Sequence, residues 1–158
     1  MNNKIIAVGN LKEKYLLDAQ KEYEKRLKGY GKIEIIEIKE EKLSQDPSEK
    51  EIQQALEKES KKILEKVDKD FCIVMAVEGR QYSSENMAKL VMEKEIDGYN
   101  GFSFIIGSSH GLHPDVKKRG DLNLSFSKMT LPHQLMRVVL LEQIYRVCKI
   151  NNNETYHK

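Results

Sequence analysis

No stretch of this chain is long or apolar enough to cross a bilayer. Met1-Asn2-Asn3-Lys4 leads into only four apolar residues, Ile5 to Val8, too few for the apolar region of a secretory leader, and no later run approaches the roughly 18 residues of a membrane span. There are only two cysteines, Cys72 and Cys148, each in apolar surroundings. They read as buried, reduced thiols rather than a disulfide, which fits the cytoplasm. Proline is scarce, and there is no repeat, low-complexity tract or linker, so the 158 residues predict a single domain, residues 1–158, large enough to bury a core. The net charge of +2 does not by itself argue for a nucleic-acid partner; a local basic patch would still suffice.

Several chemical signatures are missing too. The lysine followed by serine or threonine that completes a P-loop is absent, as is G-x-G-x-x-G. His110-x-x-His113 with Asp115 nearby has no further Cys or His cluster to complete a shell, and Pro114 disturbs the spacing, so no metal is expected. Gly107-Ser108-Ser109-His110-Gly111 does fit G-x-S-x-G after a strand, with Ser109 as nucleophile, Asp115 or Asp121 next, and His133 or His157 last. A small serine hydrolase is therefore one reading. No HGGG-type oxyanion stretch accompanies it, and the chain is short for that fold.

What is present alternates. Lys4–Val8 and Ile33–Ile38 read as strands, and the unbroken Phe71–Val77, ending in Glu78-Gly79-Arg80, as a strand covered on both faces. Phe102–Ile106 is another buried strand, and Leu122, Leu124 and Phe126 alternate as in a last one. Between them, Leu11, Tyr15, Ala19, Tyr23 and Leu27 mark one face of a helix. Ser48-x-x-Glu51 is a capping box opening a second helix, with Ile52, Leu56, Ile63 and Val67 inward. Ser83 or Ser84 caps a third, with Met87, Leu90 and Val91 inward, and Pro114 starts a short one carrying Lys117-Lys118-Arg119, the best basic patch. Pro132 starts the longest, with Leu135, Val138, Val139, Glu142, Tyr145 and Cys148 on one broad face. This order predicts an α/β fold with a mainly parallel sheet flanked by helices.

Ligands of such sheets bind outside the carboxyl ends of the strands. That places the chemistry at the loop 107–111 and at Ser125-Phe126-Ser127-Lys128-Met129-Thr130-Leu131, just before His133. His133, in the first helical turn, feels the positive helix end, which favours its neutral form. Arg137 and Arg146 share the helix with Glu142, and either is a pairing partner for it or a phosphate ligand. The polar tail ending Tyr156-His157-Lys158 lacks periodicity and would fray unless a pocket or a neighbouring subunit holds it.

Taken together, Ala7-Val8-Gly9-Asn10-Leu11-Lys12, Phe104-Ile105-Ile106-Gly107 with Gly111-Leu112, Leu124 through His133, Glu142-Gln143-Ile144-Tyr145-Arg146 and the closing Tyr156-His157-Lys158 resemble the ribosomal RNA large subunit methyltransferase H family, within the SPOUT class of knotted methyltransferases. The resemblance spans the whole chain. It implies a C-terminal trefoil knot over about residues 102–158, a homodimer, and S-adenosylmethionine-dependent methylation of N3 of a pseudouridine in 23S ribosomal RNA. Carried over by position, it puts the cofactor at Met75, Gly107 and Phe126, Ser127, Lys128, Met129, Thr130 and Leu131. Such chemistry needs help removing the N3 proton. His133, or His157 from a second subunit, would orient or deprotonate the base, Tyr156 would stack or hydrogen-bond, and Arg146, Lys158 and Lys128 would hold phosphate or developing charge. Where the family often has glycine and arginine, this chain has Ser108 and Lys158. The partner would be RNA folded in the assembled ribosome or large subunit, with no membrane involved. A non-catalytic RNA-binding module would share the basic patch but need no cofactor cleft.

Overall fold

Five strands and five helices alternate along the chain. The computed structural model describes residues 1–158. The strands are β1 (Asn2–Val8), β2 (Ile33–Ile38), β3 (Phe71–Gln81), β4 (Gly101–Ile106) and β5 (Leu122–Ser125). The helices are α1 (Lys14–Leu27), α2 (Glu49–Val67), α3 (Ser84–Ile96), α4 (Pro114–Arg119) and α5 (His133–Asn151). All strand pairings are parallel, in the order β2-β1-β4-β3-β5. The α/β class, parallel sheet and helical flanks predicted from the sequence are all present. The crossing of β5 beyond β3, with α5 packed back against β4, is consistent with the expected C-terminal knot.

The strands bury both faces, as their unbroken apolar runs require. Alternate residues go to opposite sides of the sheet. Ile5, Ala7, Ile73, Phe104 and Ile106 join one core under α1, α3 and α5. Ile6, Val8, Cys72, Val74 and Ile105 join another under α2 and α4.

Four local expectations are corrected. Tyr15 is 68% exposed, although Leu11 and Leu27 of the same repeat are buried and Tyr23 packs against the core; α1 starts only at Lys14, and its buried residues are Leu16 and Leu27. The Ser48 hydroxyl does accept from the Glu51 amide at 3.2 Å, but the Glu51 carboxylate takes the Ser44 hydroxyl instead, at 2.9 Å, so the capping box is half formed. β3 runs past Glu78 to Gln81, because β5 pairs with it on both sides of an irregularity between Met75 and Arg80. Along α5 the fully buried positions are Arg137, Leu140, Leu141, Ile144, Tyr145, Val147 and Cys148, while Leu135 is 38% exposed. α5 lies between α1 and α3, so most of its circumference is covered rather than one stripe.

Candidate active site

Beside the middle of β3 and the carboxyl end of β4 the chain lines a cavity of about 210 Å³. Met75 and Ala76 come from β3, Ile106 and Gly107 from the end of β4, Leu131 from the loop before α5, and His133 and Met136 from its first turns. Glu78 and Lys117 stand at its rim, joined by a 2.6 Å ion pair. The Lys117 ammonium holds the Glu78 carboxyl below the usual range. A smaller hollow adjoins it, sharing Ala76, Val77 and Met136 and adding Phe126, Ser127 and Met129.

The two loops are shaped by their small residues. A Cβ on Gly107 would lie 2.6 Å from the Gly111 carbonyl oxygen and 2.8 Å from the Leu112 side chain, so only glycine lets the loop fold this tightly. Gly111 closes it with φ +86°, a conformation glycine adopts without steric cost. Ser108, where the family often has a second glycine, is buried, and its hydroxyl accepts from the His110 amide at 3.2 Å, so the loop uses that side chain itself. In the second loop the Ser125 hydroxyl donates to the Ser127 carbonyl at 3.0 Å, and the Ser127 hydroxyl accepts from the Met129 amide at 3.0 Å.

A second cluster lies further along α5. The Glu142 carboxylate accepts from Arg146 through Nε at 2.9 Å and Nη2 at 2.7 Å, and from the Tyr156 hydroxyl at 2.9 Å. Burial alone would raise the Glu142 pKa; hydrogen bonds from Tyr23, Arg146 and Tyr156 outweigh it and leave the group below its ordinary value. Tyr23 is pushed up to about 12, by burial first and then by the same carboxylate. Tyr156 sits edge-on to Tyr145 and under the Arg146 guanidinium, 4.8 Å from ring centre. His157 bridges Arg146, at 3.3 Å, and Glu85 of α3, at 2.6 Å. Glu154, paired with Lys149 and Tyr30, pins the turn between. The polar tail is thus held by its own chain.

Of the sequence-predicted residues, Met75, Gly107, Leu131 and His133 meet in one cavity, with Phe126, Ser127 and Met129 in the hollow beside it. Lys128 and Thr130 are exposed and line neither. Arg146, Tyr156 and His157 meet in the tail cluster, and Lys158 is exposed beside it. Arg137 does not reach Glu142: it is 2% exposed and binds Glu37 at 2.7 Å, Gln20 and the Gly9 carbonyl. The basic patch is largely spoken for. Arg119 holds Asp121 and the carbonyls of Asp68 and Asp70, and Lys117 is paired with Glu78, which leaves Lys118. No serine triad assembles, since Asp121 serves Arg119 and the Cys72 amide, and the Ser109 hydroxyl is bonded to no histidine. His113 spends Nδ1 capping α4 at the Asp115 amide, 3.2 Å away. Sequence reasoning missed Met136 and the Glu78–Lys117 rim, and gave Glu85 no role; the Glu142–Arg146 spacing of four was the one visible signal for the tail cluster.

A parallel sheet with a small-residue cleft at its carboxyl edge and a long helix packed back against β4 points to the class: the chain belongs to the SPOUT methyltransferase family, whose model, described as "Predicted SPOUT methyltransferase", matches residues 1–157. Within it, the chain is 50% identical over 159 residues to the ribosomal RNA large subunit methyltransferase H of Streptococcus sanguinis, covering 100% of both chains. A Methanococcus maripaludis relative bearing the same name with a provisional qualifier is also 50% identical, with 100% of both chains covered. Among solved structures, the tRNA (m1G37) methyltransferase of Aquifex aeolicus superposes with a TM-score of 0.52 at 16% identity, over 93% of this chain and 70% of that one; this likeness concerns the fold. No helix is long and apolar enough to cross a membrane.

Proposed function

We propose that this protein is a cytoplasmic, homodimeric enzyme that methylates N3 of a pseudouridine in 23S ribosomal RNA, with S-adenosylmethionine as donor. The observation that carries the donor site is the cleft itself. Its apolar floor at Met75, Ile106 and Leu131 suits an adenosine, and its rim offers one charge of each sign, Glu78 and Lys117, to a zwitterionic amino-acid end. The second loop presents main chain rather than bulky side chains. When bound, the donor supplies an already electrophilic methyl group, so the reaction asks of the protein only positioning and removal of one proton.

His133 is placed for that proton. It lines the cleft, stands in the first turn of α5, and its side chain is engaged by no other residue. His133 would accept the N3 proton as the N3–H bond breaks, while the methyl group passes to nitrogen and its bond to the donor sulfur breaks to leave a neutral thioether.

The length of α5 supports a site shared between two copies. Arg146 lies 13 residues beyond His133 on one continuous helix, which at about 1.5 Å per residue separates the tail cluster from the cleft of the same chain by roughly 20 Å. A second subunit would bring its Arg146, Tyr156 and Lys158 to this cleft. Val77 and Met129 leave apolar surface around the cleft mouth, Met129 being 80% exposed.

Calorimetry with S-adenosylmethionine, followed by methyl transfer to ribosomes lacking the modification, tests the reading. Binding plus a single new methyl on pseudouridine N3 is expected, and free uridine or stripped oligonucleotide should be poor substrates. A protein that binds no donor overturns it. For the shared site, a Gly107→Val variant and a chain ending at Thr155 should each be inactive, yet regain turnover when co-refolded. Continued inactivity of the mixture would show that each subunit works alone.

A further inference from the structure

We propose that Glu142 is a positioning residue that, acting through Arg146, holds His157 as the Nε2–H tautomer, so that His157 orients the tail and is not the base. This rests on the methyl-transfer reading only for its kinetic consequence.

The argument is one of donors and acceptors. A guanidinium only donates. Glu142 takes Nε and Nη2 of Arg146 at 2.9 and 2.7 Å, which fixes the plane of the fork and aims Nη1 at His157 Nδ1, 3.3 Å away. That nitrogen must therefore carry the lone pair. The proton is then on Nε2, where it faces the Glu85 carboxylate at 2.6 Å. The chain of bonds has one direction: Tyr156 and Arg146 donate to Glu142, Arg146 donates to His157, and His157 donates to Glu85. Both ring nitrogens are in use, so neither is open to a substrate proton while the tail is docked. A protonated ring would turn a second N–H against Arg146. The charged and titratable groups around it are Glu85 of α3, Arg146 and Glu142 of α5, Tyr156 of the tail, and Tyr23 and Arg26 of α1 behind Glu142.

Nitrogen-15 spectra of histidine-labelled protein at about pH 8, above the unperturbed imidazole value of about 6.5, read the tautomer directly, with His157→Ala assigning the signal. The wild type should show Nε2–H, and Glu142→Gln should give mixed tautomers. Glu142→Asp, which keeps the charge, should restore part of the pattern. If Glu142→Gln fails to fold, Arg146→Lys removes the same fork and should scramble the tautomer too. In turnover, Glu142→Gln should lose tenfold or more in kcat with the KM for S-adenosylmethionine unchanged. His157→Gln, which retains a donor toward Glu85, should lose less than His157→Ala. A wild-type His157 found as Nδ1–H or as imidazolium overturns the proposal, as does equal loss in His157→Gln and His157→Ala. The spectra need no turnover, so a failure of the methyl-transfer reading would be seen separately.

Discussion

Arg137 shows how unequal the two ends of an ion pair are. Its side chain is 3% exposed while that of Glu37 is 44% exposed, and Nε has no partner at all. Removing Arg137 leaves an anion that can turn to water; removing Glu37 strands a buried cation. Glu37→Ala should therefore destabilise by about 2–3 kcal/mol, more than its exposure suggests, and more than Arg137→Met, which fills the space without charge. Urea midpoints of the two variants decide it. The cysteines give a pH signature. Burial pushes Cys72 and Cys148 from 9.0 up to about 11. Below 9 both states hold the thiol proton and the contribution is constant. Between about 9 and 11 the unfolded chain sheds it first, so stability falls as pH rises, by up to ~1.4 kcal/mol per pH unit and thiol. Replacing both with alanine should lower stability near neutral pH but flatten that slope, so that the gap narrows as pH rises above 9, and native protein should leave Ellman's reagent unreacted until unfolded.

Helix starts are where single elements can be tested. Ser48→Ala removes the bond to the Glu51 amide and should cost about 1 kcal/mol, while Glu51→Ala should cost less, because its carboxylate serves Ser44 and not the cap. Thermal midpoints separate the two. The same contrast shows what the sequence could and could not tell. Strands and helices were legible because periodicity reports burial, and the cleft followed from two small-residue loops after buried strands. Whether Glu51 turns back to its cap, or Arg137 to Glu37 rather than Glu142, depends on β2 and on the loop before α2. Those are neighbours in space but 100 residues from Arg137 in one case, which no local pattern encodes. Tyr15 misled for the related reason that a repeat of four drifts around a helix of 3.6 residues per turn.

For the whole molecule, β5 is the weak edge. It is four residues long, pairs only with β3, and crosses Gly79, where a Cβ would meet the Asn123 backbone at 2.7 Å. Gly79→Ala should push β5 outward, disturb the loop 126–131 and lower affinity for S-adenosylmethionine about tenfold or more, on the scale of the 1–3 kcal/mol that overpacking costs. Calorimetry checks this, and unchanged affinity would mean β5 does not set the loop.

The strand order also bears on how the chain emerges from synthesis. β1 and β3 never touch; each is joined to the sheet through β4, which lies two thirds of the way along. Until about residue 106 has cleared the ribosome, the nascent polypeptide carries two hydrophobic ribbons with open hydrogen-bonding edges and nothing to place between them. Stalled or prematurely terminated products ending near Ile96 should be insoluble and claimed by chaperones, whereas in the finished chain β1 and β3 are both paired on two sides and only β2 and β5 remain as edges.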